Sequence, residues 1–117
     1  MLAARHRMRA AGEFGATIRA GSRSSSPRVV VHYTPGSTRT APARVGFVVS
    51  KAVGGAVERN LVKRRLRAVM KEALPELPDG SCVVVRALPR AHGSNYETLR
   101  ADLLRALSGA RRRQKLR

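Results

Sequence analysis

The 117-residue chain is poor in aromatic residues and contains a single cysteine. Aromatics make up 3% of it and tryptophan is absent, so a core must be built from Val, Leu, Ile and Ala. Cys82 has no second cysteine to pair with, which excludes an intramolecular disulfide and a cysteine-rich metal site. No apolar run approaches the roughly 20 residues of a membrane-spanning helix. These absences predict one small domain, covering residues 1–117, in the cytoplasm.

Acidic residues are also scarce. Seven Asp and Glu face 24 Lys and Arg, which gives a formal net charge of +17 and a surface that attracts nucleic acid or anionic membrane. Most of the cations are Arg, whose planar guanidinium matches phosphate and stacks on bases. A GC-rich genome would also favour Arg over Lys, but it does not explain the net charge. The acids form no convincing catalytic pair and the three histidines are scattered, so we expect no catalytic site and no metal site in the protein itself.

Periodicity and turn residues predict an α+β domain with the element order α-β-β-β-α-β-α. The helices are expected over residues 10–20, 56–74 and 94–110. Clear strands are expected over residues 28–34, 44–50 and 81–87, and a short strand within residues 21–25 would make the sheet four-stranded. The strands 28–34 and 44–50 suggest an antiparallel hairpin.

Both ends of the chain are basic. Residues 1–9 and 111–117 are predicted to be mobile tails. Arg111 to Arg113 either solvate the terminus or make a weak phosphate contact. Ser94 and Glu97 have the spacing of a capping box at the start of the last helix.

The middle helix separates its residues by chemical type. At about 100° per residue, one arc of about 140° contains most of its basic residues and one asparagine, and another of about 60° contains four of its apolar residues. We call the first arc the cationic face, and it consists of Arg59, Asn60, Lys63, Arg64, Arg67 and Lys71. The apolar arc consists of Val62, Leu66, Val69 and Ala73. A third arc, the mixed-charge face, consists of Glu58, Arg65 and Glu72.

The cationic face is unusual in its spacing. Four of its cations follow one another at four-residue intervals, although like charges at that spacing destabilise a helix by a few tenths of a kcal/mol per pair. A face that is merely solvated more often mixes charges of both signs. The face therefore predicts contact with a phosphate backbone, and Lys51 with the Gly54-Gly55 turn before the helix adds small residues that let backbone amides approach phosphate.

One run of residues resembles the ribonuclease P protein family. It reads RVGFVVSKAVGGAVERNLVKRRLR from Arg44 to Arg67, with a strand ending in Ser-Lys, a Gly-containing turn and an Arg-Asn-x-x-Lys-Arg helix. The resemblance covers about 24 consecutive residues. It implies a four-stranded, mainly antiparallel sheet with helices packed on it and a left-handed βαβ crossover, which is an exception to the normal hand.

The resemblance also implies a function. In this family an RNA subunit uses Mg²⁺ to cut the 5′ leader from precursor tRNA, so the expected partners are ribonuclease P RNA and precursor tRNA, with no membrane and no protein partner. Mg²⁺ is expected to be held mainly by the RNA subunit and the substrate, and none by the protein alone. The positions implied to contact the catalytic RNA are Lys51, Arg59, Asn60, Lys63, Arg64 and Arg67. The implied leader-binding cleft contains Phe14, Ile18, and either His32 or Tyr33.

Several positions depart from the family pattern. Leu61 stands where an Arg is frequent, Gly55 where an Asn is frequent, and Ile18 where an aromatic is commoner, so individual contacts are in doubt. From the residues alone, Phe14 and Ile18 are better explained as core. The alternative function is a structural RNA-binding protein of ribosomal or assembly type, which the Ser-Lys to Arg-Asn-x-x-Lys-Arg run disfavours. A DNA-binding regulator would need a helix-turn-helix spacing, which does not appear.

Overall fold

The computed structural model describes residues 2, 4–8, 11–35 and 42–115. It contains three α-helices and four strands in the predicted order. The helices are α1 (Ala11–Ala20), α2 (Ala56–Ala73) and α3 (Tyr96–Lys115). The strands are β1 (Ser22–Ser25), β2 (Val29–Thr34), β3 (Arg44–Val48) and β4 (Cys82–Ala87). The predicted start of the first helix at Ala10 and most of the loop before β3 lie outside the described residues.

The sheet has the strand order β1-β2-β4-β3, so the predicted hairpin of β2 with β3 is wrong. Strand β4 lies between them, antiparallel to β2 and parallel to β3. The reason is burial, because Val83, Val84 and Val85 are fully buried and need a neighbouring strand on both sides. Helix α2 provides the crossover that two parallel strands require. The mainly antiparallel sheet is confirmed, and the hand of the crossover stays a prediction.

The two faces of the sheet carry different layers. On one face, Val29, Val31 and Tyr33 of β2 join the core with residues from α2 and α3. On the other face, Val30 and His32 lie on the side that α1 covers. The covering helix α1 has only 10 residues, and its Phe14 and Ile18 remain half-buried, so this face has a partly covered surface beside α1.

The N-cap of helix α3 lies one residue after the predicted N-cap, Ser94. The N-cap is Asn95, whose Oδ1 accepts the backbone N–H of Thr98 at 2.8 Å, so the predicted capping box of Ser94 with Glu97 is wrong. The Ser94 hydroxyl instead donates to the carbonyl of Arg90 and accepts from Arg28 Nε, both at 3.1 Å. At its other end α3 continues to Lys115, past the predicted end near residue 110.

The N-terminal segment, predicted as a mobile tail, contacts the edge of β3. Leu2 and Met8 are buried, and the Met8 N–H donates to the Val45 carbonyl at 2.9 Å. His6 Nδ1 lies 2.8 Å from the Ala43 carbonyl. The mobility of both tails stays a prediction. Within the residues described, no helix is long and apolar enough to cross a membrane.

Candidate nucleic-acid interface

Helix α2 is fixed to the fold by its apolar arc. The predicted residues Val62, Leu66, Val69 and Ala73 are all buried in the core, together with Met70. The rotation of the helix is thereby set, because an apolar stripe that faces the core determines where the other faces point.

The mixed-charge face of α2 is bound to the segment that leads into α3. Arg65 Nη1 donates to the Ser94 carbonyl at 2.5 Å, and Arg100 Nη2 donates to Glu72 Oε1 at 2.5 Å. Glu58 Oε2 lies 3.9 Å from His92 Nδ1. The hydrogen bond from Arg100 lowers the pKa of the Glu72 carboxyl below its ordinary value. Arg65 and Glu72 therefore have hydrogen-bond partners within the protein, whereas Glu58 Oε2 makes no hydrogen bond and faces a histidine that is charged only when protonated.

The charged side chains on the cationic face of α2 have no such partners among the described residues. Its six side chains make no hydrogen bond and no ion pair with any described residue. Asn60, Arg64 and Lys71 are exposed, whereas Lys63 and Arg67 are half-buried. Arg59 is also half-buried, and its Nε is fully enclosed without a hydrogen-bond partner. Enclosed donors of this kind are costly unless an external acceptor meets them.

The turn before α2 contains Lys51, whose side chain is exposed. Hydrogen bonds from Val53 to Ser50 and from Gly54 to Lys51 close this turn, each at 3.1 Å. Gly54 adopts a φ of 154°, which favours glycine, and a Cβ there would lie 2.8 Å from His92 Nδ1. Gly55 begins the helix without a side-chain cap, so the first amides of α2 are open to an anion.

The predicted cleft residues lie on the opposite side of β3 from α2. Phe14 and Ile18 of α1 are half-buried, and Phe14 packs directly on Gly46, where an added Cβ would come within 2.5 Å of the ring. Of the two alternatives on β2, His32 lies on the α1 face. Tyr33 is a core residue of the other face, so the structure removes it from the predicted cleft.

His32 is the polar centre of this second surface. It is 4% exposed, and neither ring nitrogen has a hydrogen-bond partner among the described residues. Burial lowers its pKa, and the positive charges of Arg86 and Arg23 lower it further. A neutral imidazole offers one donor and one acceptor, which suits the edge of a nucleobase.

Arg23 and Arg86 were missed by the sequence reasoning. Arg23 is the cross-strand partner of His32, and Arg86 is the cross-strand partner of Val30 on the same face. Both side chains are exposed. The two-residue alternation along β4 could have indicated Arg86, because it puts this residue on the same face as Val84. Placing that face beside His32, however, requires knowing that β4 pairs with β2. These arginines give the α1 face a positive charge of its own.

Comparisons with known proteins agree on one family. A sequence model described as Ribonuclease P matches residues 2–111. The chain is 47% identical to the ribonuclease P protein component of Salinispora tropica, over 95% of this chain and 94% of that one. It is 49% identical to the corresponding protein of Kocuria rhizophila, over 97% and 98%. Its fold is similar to the RNase P protein of Staphylococcus aureus, with a TM-score of 0.80 and 24% identity over 90% of this chain and 94% of that chain.

Proposed function

Because the chain belongs to the ribonuclease P protein family, we propose that it is the protein subunit of ribonuclease P and acts in tRNA processing. It is then one component of an endoribonuclease whose other component is an RNA. The finer proposal is that this RNA is the catalyst and that the substrate is precursor tRNA. Hydrolysis of one phosphodiester would release the 5′ leader. A cytoplasmic location is part of the same proposal.

The cationic face of α2 is the observation that carries the proposal. Its five cations lie side by side and form no ion pair with a carboxylate of the described residues. Three of them are half-buried: Arg59, Lys63 and Arg67. Partial burial removes hydration from these charges, and no partner among the described residues replaces it. A phosphate backbone would supply the missing acceptors at several points along the helix. The proposed contacts to the catalytic RNA are Lys51, Arg59, Asn60, Lys63, Arg64 and Arg67.

The acids of the chain support a non-catalytic role for the protein. Three of the seven are held in ion pairs with arginine: Glu13 with Arg44, Glu72 with Arg100 and Asp102 with Arg28. In the described part of the chain, no three His, Cys, Asp or Glu side chains come together as a metal site. The proposal therefore assigns Mg²⁺ to the RNA subunit and the substrate, where it would activate water and stabilise the leaving oxygen.

The surface beside α1 is proposed to hold the leader. Phe14 offers an aromatic ring to an unpaired base, and His32 lies buried beneath the same surface. Arg23 and Arg86 would attract the backbone from either side of His32. The protein would thus distinguish precursor from mature tRNA, because only the precursor has a leader.

Reconstitution tests the proposal. The protein is added to a bacterial ribonuclease P RNA at low Mg²⁺, and leader removal from precursor tRNA is followed in single-turnover reactions. We expect the protein to accelerate cleavage and to cleave nothing when the RNA is omitted. Cleavage by the RNA-free protein would contradict the assignment of catalysis to the RNA. No acceleration, together with no binding to the RNA, would contradict the proposed function.

A further inference from the structure

A small groove at the edge of β3 joins the two surfaces. It has a volume of about 110 Å³ and lies between the N-terminal segment, α1 and α2. Three cations surround it: Arg7, Lys63 and Arg67. Its apolar walls include Met8, Phe14 and Phe47. The groove is thus the one place where a residue of the cationic face and Phe14 line the same described cavity.

Arg7 is held in position by the N-terminal segment. Its backbone forms a parallel bridge with Val45, and its Nε and Nη2 donate to the Leu2 carbonyl at 3.3 and 3.2 Å. A guanidinium has five N–H donors in a rigid fork, so these two bonds orient the group and leave other donors available. Burial of Leu2 and Met8 anchors the segment on both sides of Arg7.

The three cations have no counter-charge within the groove. No acidic residue lines it, and Glu13, the neighbour of Phe14 in the chain, is paired with Arg44. Lys63 and Arg67 are half-buried, so their mutual repulsion is screened less than that of fully exposed charges. Binding of an anion in the groove would offset this repulsion and lower the free energy of the protein. The groove is large enough for a group bigger than a single water, as a phosphate is.

We propose that this groove binds one backbone phosphate of the single-stranded 5′ leader where the leader crosses the edge of β3. This inference rests on the proposed function and names a contact within it. The aromatic and thioether walls favour a single strand over a duplex, because an unpaired nucleotide can place its base against Phe14 or Phe47 while its phosphate meets the cations. Arg7 is the residue that makes the site specific to the leader, since Lys63 and Arg67 also belong to the cationic face.

The first experiment measures binding of precursor and mature tRNA to the reconstituted holoenzyme. Arg7→Gln should weaken precursor binding several-fold and make the salt dependence shallower by about 0.7 log units per log unit of salt. Mature tRNA binding and the affinity of the protein for the RNA subunit should not change. Arg7→Lys should recover part of the loss, because it restores the charge without the fork. Arg5→Gln is the matched control, since Arg5 lies in the same segment and does not line the groove.

A second experiment needs no change to the fold of the protein. Single leader phosphates are replaced one at a time by neutral methylphosphonates, and binding to the wild-type holoenzyme is measured. One leader position should lose affinity in the wild type and not in Arg7→Gln, since the two changes remove the same contact. Coupling at no position would overturn the inference. Equal losses for precursor and mature tRNA would assign the phosphate to the catalytic RNA and also overturn it. A wild-type protein that does not bind the RNA subunit would instead contradict the proposed function.

Discussion

Two faces of helix α2 carry charges in opposite ways. On the mixed-charge face, Glu58, Arg65 and Glu72 each contact the segment that leads into or forms α3. On the cationic face, five positive side chains contact no partner in the described protein. Both faces belong to the same 18-residue helix and both reach solvent. The difference separates charge that has a partner within the protein from charge that is left for an external partner, and it is the basis of the proposal that the cationic face binds RNA.

The energetics of the two faces should differ accordingly. Ion pairs on the mixed-charge face connect α2 to α3, so their loss should act on the stability of the fold. Repulsion among the cations at four-residue spacing costs a few tenths of a kcal/mol per pair, so their removal should leave stability unchanged or slightly raised. Replacing the cations should lower the affinity for RNA, whereas replacing residues of the mixed-charge face should leave that affinity unchanged.

The largest effect is expected from the cationic face. Replacing Arg59, Lys63 and Arg67 together by Ala should weaken binding to ribonuclease P RNA strongly and leave the thermal midpoint within a few degrees of wild type. Three phosphate contacts would be lost, together with the attraction that they exert at a distance. Filter binding and thermal unfolding measure the two quantities. A folded triple variant with wild-type affinity would remove this face from the interface.

The next effect concerns the surface beside α1. Phe14→Ala should weaken precursor tRNA binding by about 1–3 kcal/mol, roughly 5- to 150-fold, and leave mature tRNA unchanged. Phe14→Leu serves as the control, because it retains apolar contact with Gly46 and loses the aromatic ring. If Leu restored full precursor affinity, Phe14 would act through packing rather than through stacking.

The next effect concerns the start of α3, the helix that the mixed-charge face of α2 contacts. Asn95→Ala should cost about 1 kcal/mol of unfolding free energy, because the N–H of Thr98 loses its cap. The affinity for ribonuclease P RNA should not change. Ser94→Ala at the neighbouring position keeps the cap and should have the smaller effect on thermal unfolding. The reverse ranking would return the cap to Ser94.

The smallest effects are those of pH, and they separate in two windows. His32 has a pKa lowered from 6.5, so the unfolded chain binds its proton first and stability falls as pH decreases below about 6.5. Glu72 has a pKa lowered from 4.5, so its contribution is present above 4.5 and is lost as pH falls through the folded value. His32→Gln should flatten the first window only, and Arg100→Gln the second only. Chemical denaturation at a series of pH values checks both.

The sequence predicted α2 better than any other part of the fold. A period of 100° per residue separates its three faces, and Val62, Leu66, Val69 and Ala73 are buried as that separation predicts. Met70 is the exception, because it is buried although it projects between Arg59 and Lys63. Local patterns of this kind need no knowledge of tertiary neighbours. The partners of the mixed-charge face could not be predicted, because His92, Ser94 and Arg100 reach it only after α3 has packed against α2.

The errors share one physical cause. The pairing of β2 with β4 rather than β3 depends on which strand is buried on both sides. The order of the strands along the chain does not predict this burial. Once the pairing is known, the choice of His32 over Tyr33 follows from the alternation along β2. The contact of Arg7 with the edge of β3 could not be predicted for the same reason, because it depends on which strand edge is left open.

The salt dependence of RNA binding tests the central claim most directly, with two variants of equal charge. Lys63→Gln with Arg67→Gln removes two cations from the cationic face, and Arg65→Gln with Arg100→Gln removes two from the contacts of the mixed-charge face. The first pair should flatten the plot of log K for ribonuclease P RNA against log salt by about 1.4 to 1.8, and the second should leave it unchanged. Equal slopes for the two variants would contradict the claim that unpaired charge on α2 forms the RNA-binding surface.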